Sequence, residues 1–382
     1  VNDTLSPVAE RLRSVSPEFH EHVRANFFDK CPETMLVFPL HKENVHADLG
    51  RVLSFVFDRT PVDGHLTDEM RTLITQLGKD HRKYNVSPRY FHPFVECLRD
   101  SLLTLCSDLQ FKYLNGADTA LGEVSTLLAR SIARDDAAGI PRNYTATVVD
   151  VQRRCRRISV VRLKTRTPID FQPGSYFPIS SEVTPGIWRF YTSALPPTET
   201  GEMEFHVRTN EGGLSSVPLA NSRIGDKWLL GNPYGRASID GDRDVLMIAN
   251  SVGLAPLRSL ILSQVGQLNP ARVHLFFGAE YPGELYDLRT LWEVAATAPW
   301  LTVTPVVEHD TDKWWVRATE WSQCPRGLNL TEHGTLEEVL PRYGTWADRQ
   351  ILIGGPPAWI PDMRDALVEG GTPPENILYN AL

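Results

Sequence analysis

The feature that most constrains this 382-residue chain is a change of pattern near residue 140. From Ser6 to about Arg134 the apolar residues recur at helical spacing with few β-branched runs. Breaks fall at Pro32, Pro39, Pro61, Pro88 and the Asn115-Gly116 pair, which predicts an all-helical domain. In TDEMRTLITQLGKDHRKYNV, Met70, Leu73, Ile74 and Leu77 form one stripe, and His81 continues it inward at the helix end. The segment DDAAGIPRN then reads as a linker. Beyond it, YTATVVDVQRRCRRISVVRLKT alternates and is rich in Val, Ile and Thr, and short strands with PG, GE and GN turns continue to about Gly235, as in a small antiparallel barrel. From Asp244, apolar strands (VLMIAN, VHLFFGAE, LTVTPVVE, QILIGGP) alternate with helical segments. That order implies a parallel sheet covered on both faces. The expected domains are therefore residues 1–138, 143–238 and 239–382.

Composition narrows the partners. The length suits two or three domains. With 39 basic and 47 acidic side chains the net charge is -8, which offers no attraction for nucleic acid or an anionic membrane and favours small-molecule partners. No apolar run has the length of a membrane span, and the start VNDTLSPVAERLRSV lacks an apolar signal core, so a soluble, cytoplasmic protein, monomer or dimer, is expected. Cys31, Cys97, Cys106, Cys155 and Cys324 are odd in number and scattered, without a C-x-x-C pair, and read as packed or surface thiols.

The barrel segment carries candidate chemistry. In GIWRFYTSA, Arg189 can pair with a diphosphate, the Tyr191 ring can stack on an isoalloxazine, and the Thr192 hydroxyl can bond to a flavin edge, with Ser193 a further cofactor-binding candidate. In EGGLSS, Gly212 and Gly213 let backbone amides approach an anion, with Ser216 at the start of the next helix. Together with PGSY, ending at Tyr176, these motifs resemble the flavin domain of the ferredoxin reductase family, which implies bound FAD. His206 and Arg208 in FHVR lie between the motifs, where that family lays a strand along the flavin.

In ANSVGLAP, Gly253 and Pro256 resemble the strand-to-helix turn that receives the pyrophosphate of NADH or NADPH in that family, and Gly355-Pro356 resembles its late C-G-P element. Asn250 and Ser251 stand where the family has Gly, a Cβ there bringing strain or holding the pyrophosphate away, and Gly354 stands where it has Cys near the hydride-transfer site. The terminal LYNAL lacks an aromatic flavin shield. Glu280 and Glu284, after the FFGAEY strand, favour NADH without deciding it.

A helical domain ahead of such a reductase resembles the flavohaemoglobins, on Pro32-Glu33, Val37-Phe38-Pro39 and LGKDHRKYNVSPRYF. The resemblance implies a globin, then an antiparallel β-barrel FAD domain, then an α/β parallel-sheet NAD domain. It also implies haem b with His81 as proximal ligand and Phe38 against the ring, and an oxidoreductase that converts nitric oxide and O2 to nitrate. His81 and Tyr191 are its catalytic candidates. Departures fall on the distal side: the family's Tyr position meets Arg24, no Tyr precedes Tyr84, and the Gln position falls within His46–Leu49, where His46 or Asp48 could supply a polar group. On the proximal side Tyr90 or Phe91 fills the Tyr position, and no Glu occurs from Arg130 to Arg134. Two alternatives stay open: a non-nicotinamide electron donor, or a gas or redox sensor coupled to a reductase.

Overall fold

The computed structural model describes residues 3–36, 49–210, 213, 215–235, 237–310 and 329–379. The chain divides into two compact units, Val1–Tyr144 with Pro185–Ile187 and Thr145–Thr184 with Trp188–Leu382.

The first unit is built from α1 (Ser6–Ser14), α2 (Ser16–Lys30), α3 (Leu49–Asp58), α4 (Asp68–His81), α5 (Phe91–Leu105) and α6 (Phe111–Ala137). Prolines near the start of α1 and α2 cost no hydrogen bond, because the first-turn amides have no helical acceptor. Residues four apart on α2 (Phe19, Val23, Phe27) face a core shared with Phe57, Met70, Ile74, Val95, Leu98 and Leu121. Burying each such side chain contributes about 1.5–3 kcal/mol. The Thr67 hydroxyl caps α4 by accepting from the Met70 amide, and Asp68 and Glu69 in its first turn complement the helix dipole.

Three expectations change here. Leu73 is 45% exposed, because the inward face of α4 follows Met70, Ile74 and Gly78 instead. Asn115-Gly116 does not break the chain but lies inside α6, where a Cβ on Gly116 would stand 2.2 Å from the Val62 carbonyl oxygen. Close helix-to-loop contact, not a turn, explains that glycine. Nor are Asp135 and Asp136 linker residues: both lie in α6 and pair with the fully buried Arg82, at 3.6 and 3.0 Å.

The second unit opens with an antiparallel curled sheet of β1 (Tyr144–Arg153), β2 (Ile158–Thr165), β3 (Tyr176–Ser181), β4 (Thr184–Thr192), β5 (Glu202–Arg208) and β6 (Lys227–Leu230), in the order β4-β3-β6-β1-β2-β5. Its two edges meet where Ser193 bridges Phe205 and the Ala194 amide donates to the Glu204 carbonyl, so the sheet curls into a barrel and leaves no edge there. A single-turn α7 (Ser216–Ala220) precedes β6.

A parallel sheet follows: β7 (Val245–Asn250), α8 (Leu254–Gln264), β8 (Val273–Ala279), α9 (Leu288–Thr297), β9 (Leu301–Val307), β10 (Glu332–His333), α10 (Leu336–Val339), β11 (Gln350–Gly354), α11 (Ile360–Glu369) and β12 (Ile377–Tyr379). The strand order is β10-β9-β8-β7-β11-β12. β7, β8 and β11 are buried along nearly their whole length, as central strands covered on both faces require.

Candidate functional site

In an open parallel sheet, ligands bind outside the C-terminal ends of the strands where the order reverses. Here that crevice lies between β7 and β11. β7 ends at Asn250, and the turn Ser251–Gly253 leads into α8, while β11 ends at Gly354 ahead of Gly355-Pro356. A Cβ on Gly253 would stand 2.2 Å from the Gly354 carbonyl carbon, so the two turns meet backbone to backbone. Gly354, expected as a plain replacement of Cys, thus occupies a position with no room for a side chain.

Ser251 bears out the expected strain, with φ at 55°, a left-handed conformation that costs a non-glycine residue about 1 kcal/mol. Its buried hydroxyl accepts a hydrogen bond from Arg208 Nη1 at 3.2 Å. Beside the turn is a cleft lined by residues that include Asn250, Ala279, Glu308, Glu337 and Trp359. Trp359 Nε1 donates to Glu337, and burial together with Glu280 pushes the Glu308 carboxyl up. Pro256 is buried in the first turn of α8, and Pro356 accepts at its carbonyl from the amides of Trp359 and Ile360. Glu280 and Glu284 are not free to meet a ribose, because Arg157 pairs with both, at 2.7 and 2.5 Å.

On the barrel, antiparallel pairing sets Tyr176 opposite Thr192, Phe177 opposite Tyr191 and Ile179 opposite Arg189. The Tyr176 ring meets Phe190 edge-on at 5.4 Å and lies 5.9 Å from Tyr234. Burial pushes the Tyr191 phenol up. Arg189 is exposed and donates from Nη1 to the Trp188 carbonyl at 2.8 Å. Thr192 Oγ1 is buried without a hydrogen-bond partner among the described residues, while the Ser215 hydroxyl lies within hydrogen-bonding reach of the Tyr191 phenol. A buried hydroxyl left unpaired costs about 1–3 kcal/mol, and a polar ligand removes that cost. The Ser193 hydroxyl donates locally to the Leu195 carbonyl at 2.9 Å. In the turn before α7, the Asn210 amide donates to Ser216 Oγ, and a Cβ on Gly213 would stand 2.4 Å from that same oxygen. Phe38, His46, Asp48, Gly212 and Cys324 lie outside the described residues.

His206 departs from expectation. The carboxylate of Glu204 can only accept, so His206 Nε2 donates to it at 3.1 Å and Nδ1 pairs with the Tyr286 hydroxyl at 2.7 Å. Both ring nitrogens are engaged inside the protein, and neither is left for a ligand. Glu204 also pairs with Arg162 and Arg258, and Arg258 with Asp287, forming a buried network that joins β5 to α8 and the start of α9. Sequence reasoning missed it, since partners dozens of residues apart leave no local pattern. Ser215 was missed as well; the paired serines of EGGLSS were its only signal.

In the first unit, the carbonyl of Leu77 accepts from His81 Nδ1 at 2.8 Å. Burial lowers the imidazole pKa, so the ring is neutral at pH 7 with its Nε2 lone pair uncommitted among the described residues. Tyr84 and Phe91 meet it edge-on at 5.9 and 6.3 Å. Phe91 thus fills the neighbouring position. Tyr90 instead donates its hydroxyl to Glu33, beneath the Arg89 guanidinium. A neutral, pre-oriented imidazole in an apolar setting has the donor chemistry that haem iron accepts. Among the described residues no group of three or more His, Cys, Asp or Glu side chains could hold a metal ion, and no helix is long and apolar enough to cross a membrane.

Residues 145–239 match the family model of the oxidoreductase FAD-binding domain. The barrel is therefore an FAD-binding oxidoreductase domain, and a six-stranded parallel sheet follows it. The chain is 28% identical over 234 residues to the reductase component of phenol 2-monooxygenase from Pseudomonas sp. (strain CF600), covering 60% of this chain and 62% of that one. It is 31% identical over 171 residues to the ferredoxin--NAD(P)(+) reductase component of the naphthalene 1,2-dioxygenase/salicylate 5-hydroxylase systems of Ralstonia sp., covering 44% and 51%. The chain thus spans about half to three fifths of these relatives' own lengths. A solved flavohemoglobin from Malassezia yamatoensis, with bound FAD and heme, is similar over 98% of this chain and 96% of its own, with a TM-score of 0.74 and 15% identity. At that identity the likeness is one of fold alone.

Proposed function

We propose that this chain is an NAD(P)H-dependent flavohaemoprotein that takes electrons from the nicotinamide, passes them through FAD to haem b in the helical unit, and oxidises nitric oxide with O2. The observation that carries the reading is the pairing of two kinds of site in one chain. One is a dinucleotide crevice at Gly253 and Gly354 beside a barrel whose buried Thr192 hydroxyl lacks a partner among the described residues; the other is a neutral His81 whose Nε2 is uncommitted among them. When bound, FAD supplies the exchange between a two-electron donor and a one-electron acceptor, and haem the site where O2 and nitric oxide bind.

The protein's own residues hold and orient. Tyr176, Arg189, Tyr191 and Thr192, with Gly212, Gly213, Ser215 and Ser216, would hold FAD. Gly253, Pro256, Gly355 and Pro356 would receive the dinucleotide, and His81 the iron. The Leu77 carbonyl keeps the proton on His81 Nδ1 and so presents Nε2 as the donor. The fold likeness to a flavohemoglobin and the matches to reductase components support this reading. A gas- or redox-sensing role is favoured by one observation, the lack of any Tyr before Tyr84 to hydrogen-bond a distal ligand.

The test is the anaerobic absorption spectrum of the purified chain before and after NADH, followed by nitric oxide in air. Flavin and haem bands that are both reduced by NADH, with nitrate formed in the presence of nitric oxide and O2, are the expected result. Absence of haem sinks the haem assignment. Bound cofactors that NADH leaves oxidised point to another donor, and rapid reduction without nitrate favours the sensor.

A further inference from the structure

We infer, on the flavin and dinucleotide reading above, that Arg258 is a positioning residue: it fixes the gap between the flavin edge on the barrel and the nicotinamide on the parallel sheet, and so sets the rate of hydride transfer. That transfer moves one hydride, a proton with two electrons, from the nicotinamide ring to the flavin ring, leaving the nicotinamide oxidised and the flavin reduced.

Arg258 is buried in the first half of α8, the helix that the turn Ser251–Gly253 leads into. Its Nη1 donates to the Ala194 carbonyl at 2.9 Å and lies 3.1 Å from Glu204 Oε1, while Nε donates to Asp287 at 2.7 Å. Ala194 lies just beyond β4, and its amide donates to the Glu204 carbonyl on β5 at 2.8 Å. Both main-chain polar groups of Ala194 are therefore held, one by the neighbouring strand and one by the helix. Thr192, whose buried hydroxyl has no partner among the described residues, ends the same β4, which also carries Arg189 and Tyr191. The strand that would hold the flavin edge and the helix that would face the dinucleotide thus meet through one guanidinium.

The surroundings hold that guanidinium in one geometry. Arg258 sits between Glu204 and Asp287, and Glu204 also takes Arg162 at 2.8 Å and His206 Nε2 at 3.1 Å. His206 Nδ1 pairs with the hydroxyl of Tyr286, the residue before Asp287 at the start of α9. A planar fork serves acceptors in several fixed directions at once, whereas an ammonium on a flexible stem does not reproduce that pattern. Reaction rates are steep in the placement of the reacting atoms, and a displacement of about 1 Å costs up to about a hundred-fold. A second tie between barrel and sheet, Arg157 with Glu280 and Glu284, lies at the other end of β5, where the Thr209 amide donates to the Arg157 carbonyl. That tie serves as the comparison for docking alone.

The test uses the FAD-loaded full chain and its Arg258→Lys, Arg258→Gln and Arg157→Gln variants. Flavin reduction by saturating NADH is followed by stopped flow, and the long-wavelength charge-transfer absorbance is recorded after NAD+ is added to photochemically reduced flavin. The second readout reports how the two rings stack and involves no turnover. Arg258→Lys keeps the buried charge, so it carries the test should Arg258→Gln lose its fold. The expected result for Arg258→Lys is reduction at least ten-fold slower and a charge-transfer band at most half as intense, with FAD content equal to the parent and NADH affinity within three-fold. Arg157→Gln is expected to keep the saturated rate within two-fold. A rate and a band within two-fold of the parent in Arg258→Lys overturn the inference, as does an equal loss in Arg157→Gln, which assigns the effect to docking in general. Loss of FAD or of NADH affinity with the saturated rate unchanged overturns it too, and makes Arg258 a residue that holds the cofactors. A parent chain that NADH does not reduce sinks the underlying reading and the inference together, whereas a reducible parent with unaffected variants sinks the inference alone.

Discussion

Gly253 and Gly354 lie backbone against backbone: a Cβ on Gly354 would stand 2.1 Å from the Gly253 carbonyl oxygen. Real Cβ atoms do not approach so closely, and the obstacle is main chain, which cannot swing aside. Gly354→Cys, which restores the residue that the ferredoxin reductase resemblance puts there, is therefore expected to damage the crevice. It should cost about 1–3 kcal/mol of stability, as overpacking does, and weaken NADH binding with it. Denaturant midpoints and the KM for NADH check this, and a Gly354→Cys protein as stable and active as the parent would show that the two turns separate freely.

His81 presents Nε2 because its Nδ1 proton is committed to the Leu77 carbonyl. His81→Leu should yield a protein that retains FAD absorbance, is bleached by NADH, and lacks a haem band. Because burial lowers the imidazole pKa, the ring offers its neutral, ligating form at pH 7. Unchanged haem content in His81→Leu removes the ligand assignment.

How much of this was legible in the sequence depends on the range of the pattern involved. Runs such as VLMIAN and VHLFFGAE, bounded by turns, carry the strand signal locally and appear as β7 and β8. Gly116 misled because glycine reads as a break, whereas here it makes room for the Val62 carbonyl, a contact between residues 54 apart (116 − 62). His206 looked like a flavin neighbour because its motif is local, while its partner Tyr286 lies 80 residues on. Long-range electrostatic partners leave no periodicity to read.

His274 lies on β8, stacked on Phe276 at 4.3 Å and bonded to Thr304 at 2.8 Å, and burial pushes its imidazole down to about 4. In the unfolded chain the ring takes up a proton near pH 6.5, while the folded chain keeps it neutral down to about 4. The resulting stability is complete above pH 6.5 and falls as pH drops towards 4, by about 1.4 kcal/mol per pH unit and about 3 kcal/mol in all. Urea midpoints of the parent and His274→Gln at pH 7, 6 and 5 should show the slope in the parent and a shallower one in the variant. Parallel slopes reject the assignment.

Glu204 gathers three partners: Arg162 at 2.8 Å, and His206 and Arg258 at 3.1 Å each. Burial alone would raise its carboxyl, but the hydrogen bond from His206 and the charge of Arg258 hold it well below the usual carboxylate range. The stability this contributes is present above about pH 4.5 and is lost as pH falls below that value. Glu204→Gln keeps the shape and removes the charge, leaving Arg258 buried with Asp287 alone. Breaking a buried ion pair from one side costs about 3–5 kcal/mol. Because the network joins barrel to sheet, the loss should appear as a lower thermal midpoint for the whole second unit, followed by flavin absorbance and far-ultraviolet dichroism together. A change below about 1 kcal/mol in Glu204→Gln would mean that water replaces the carboxylate, and that the barrel and sheet are held instead by Arg157 and its two glutamates.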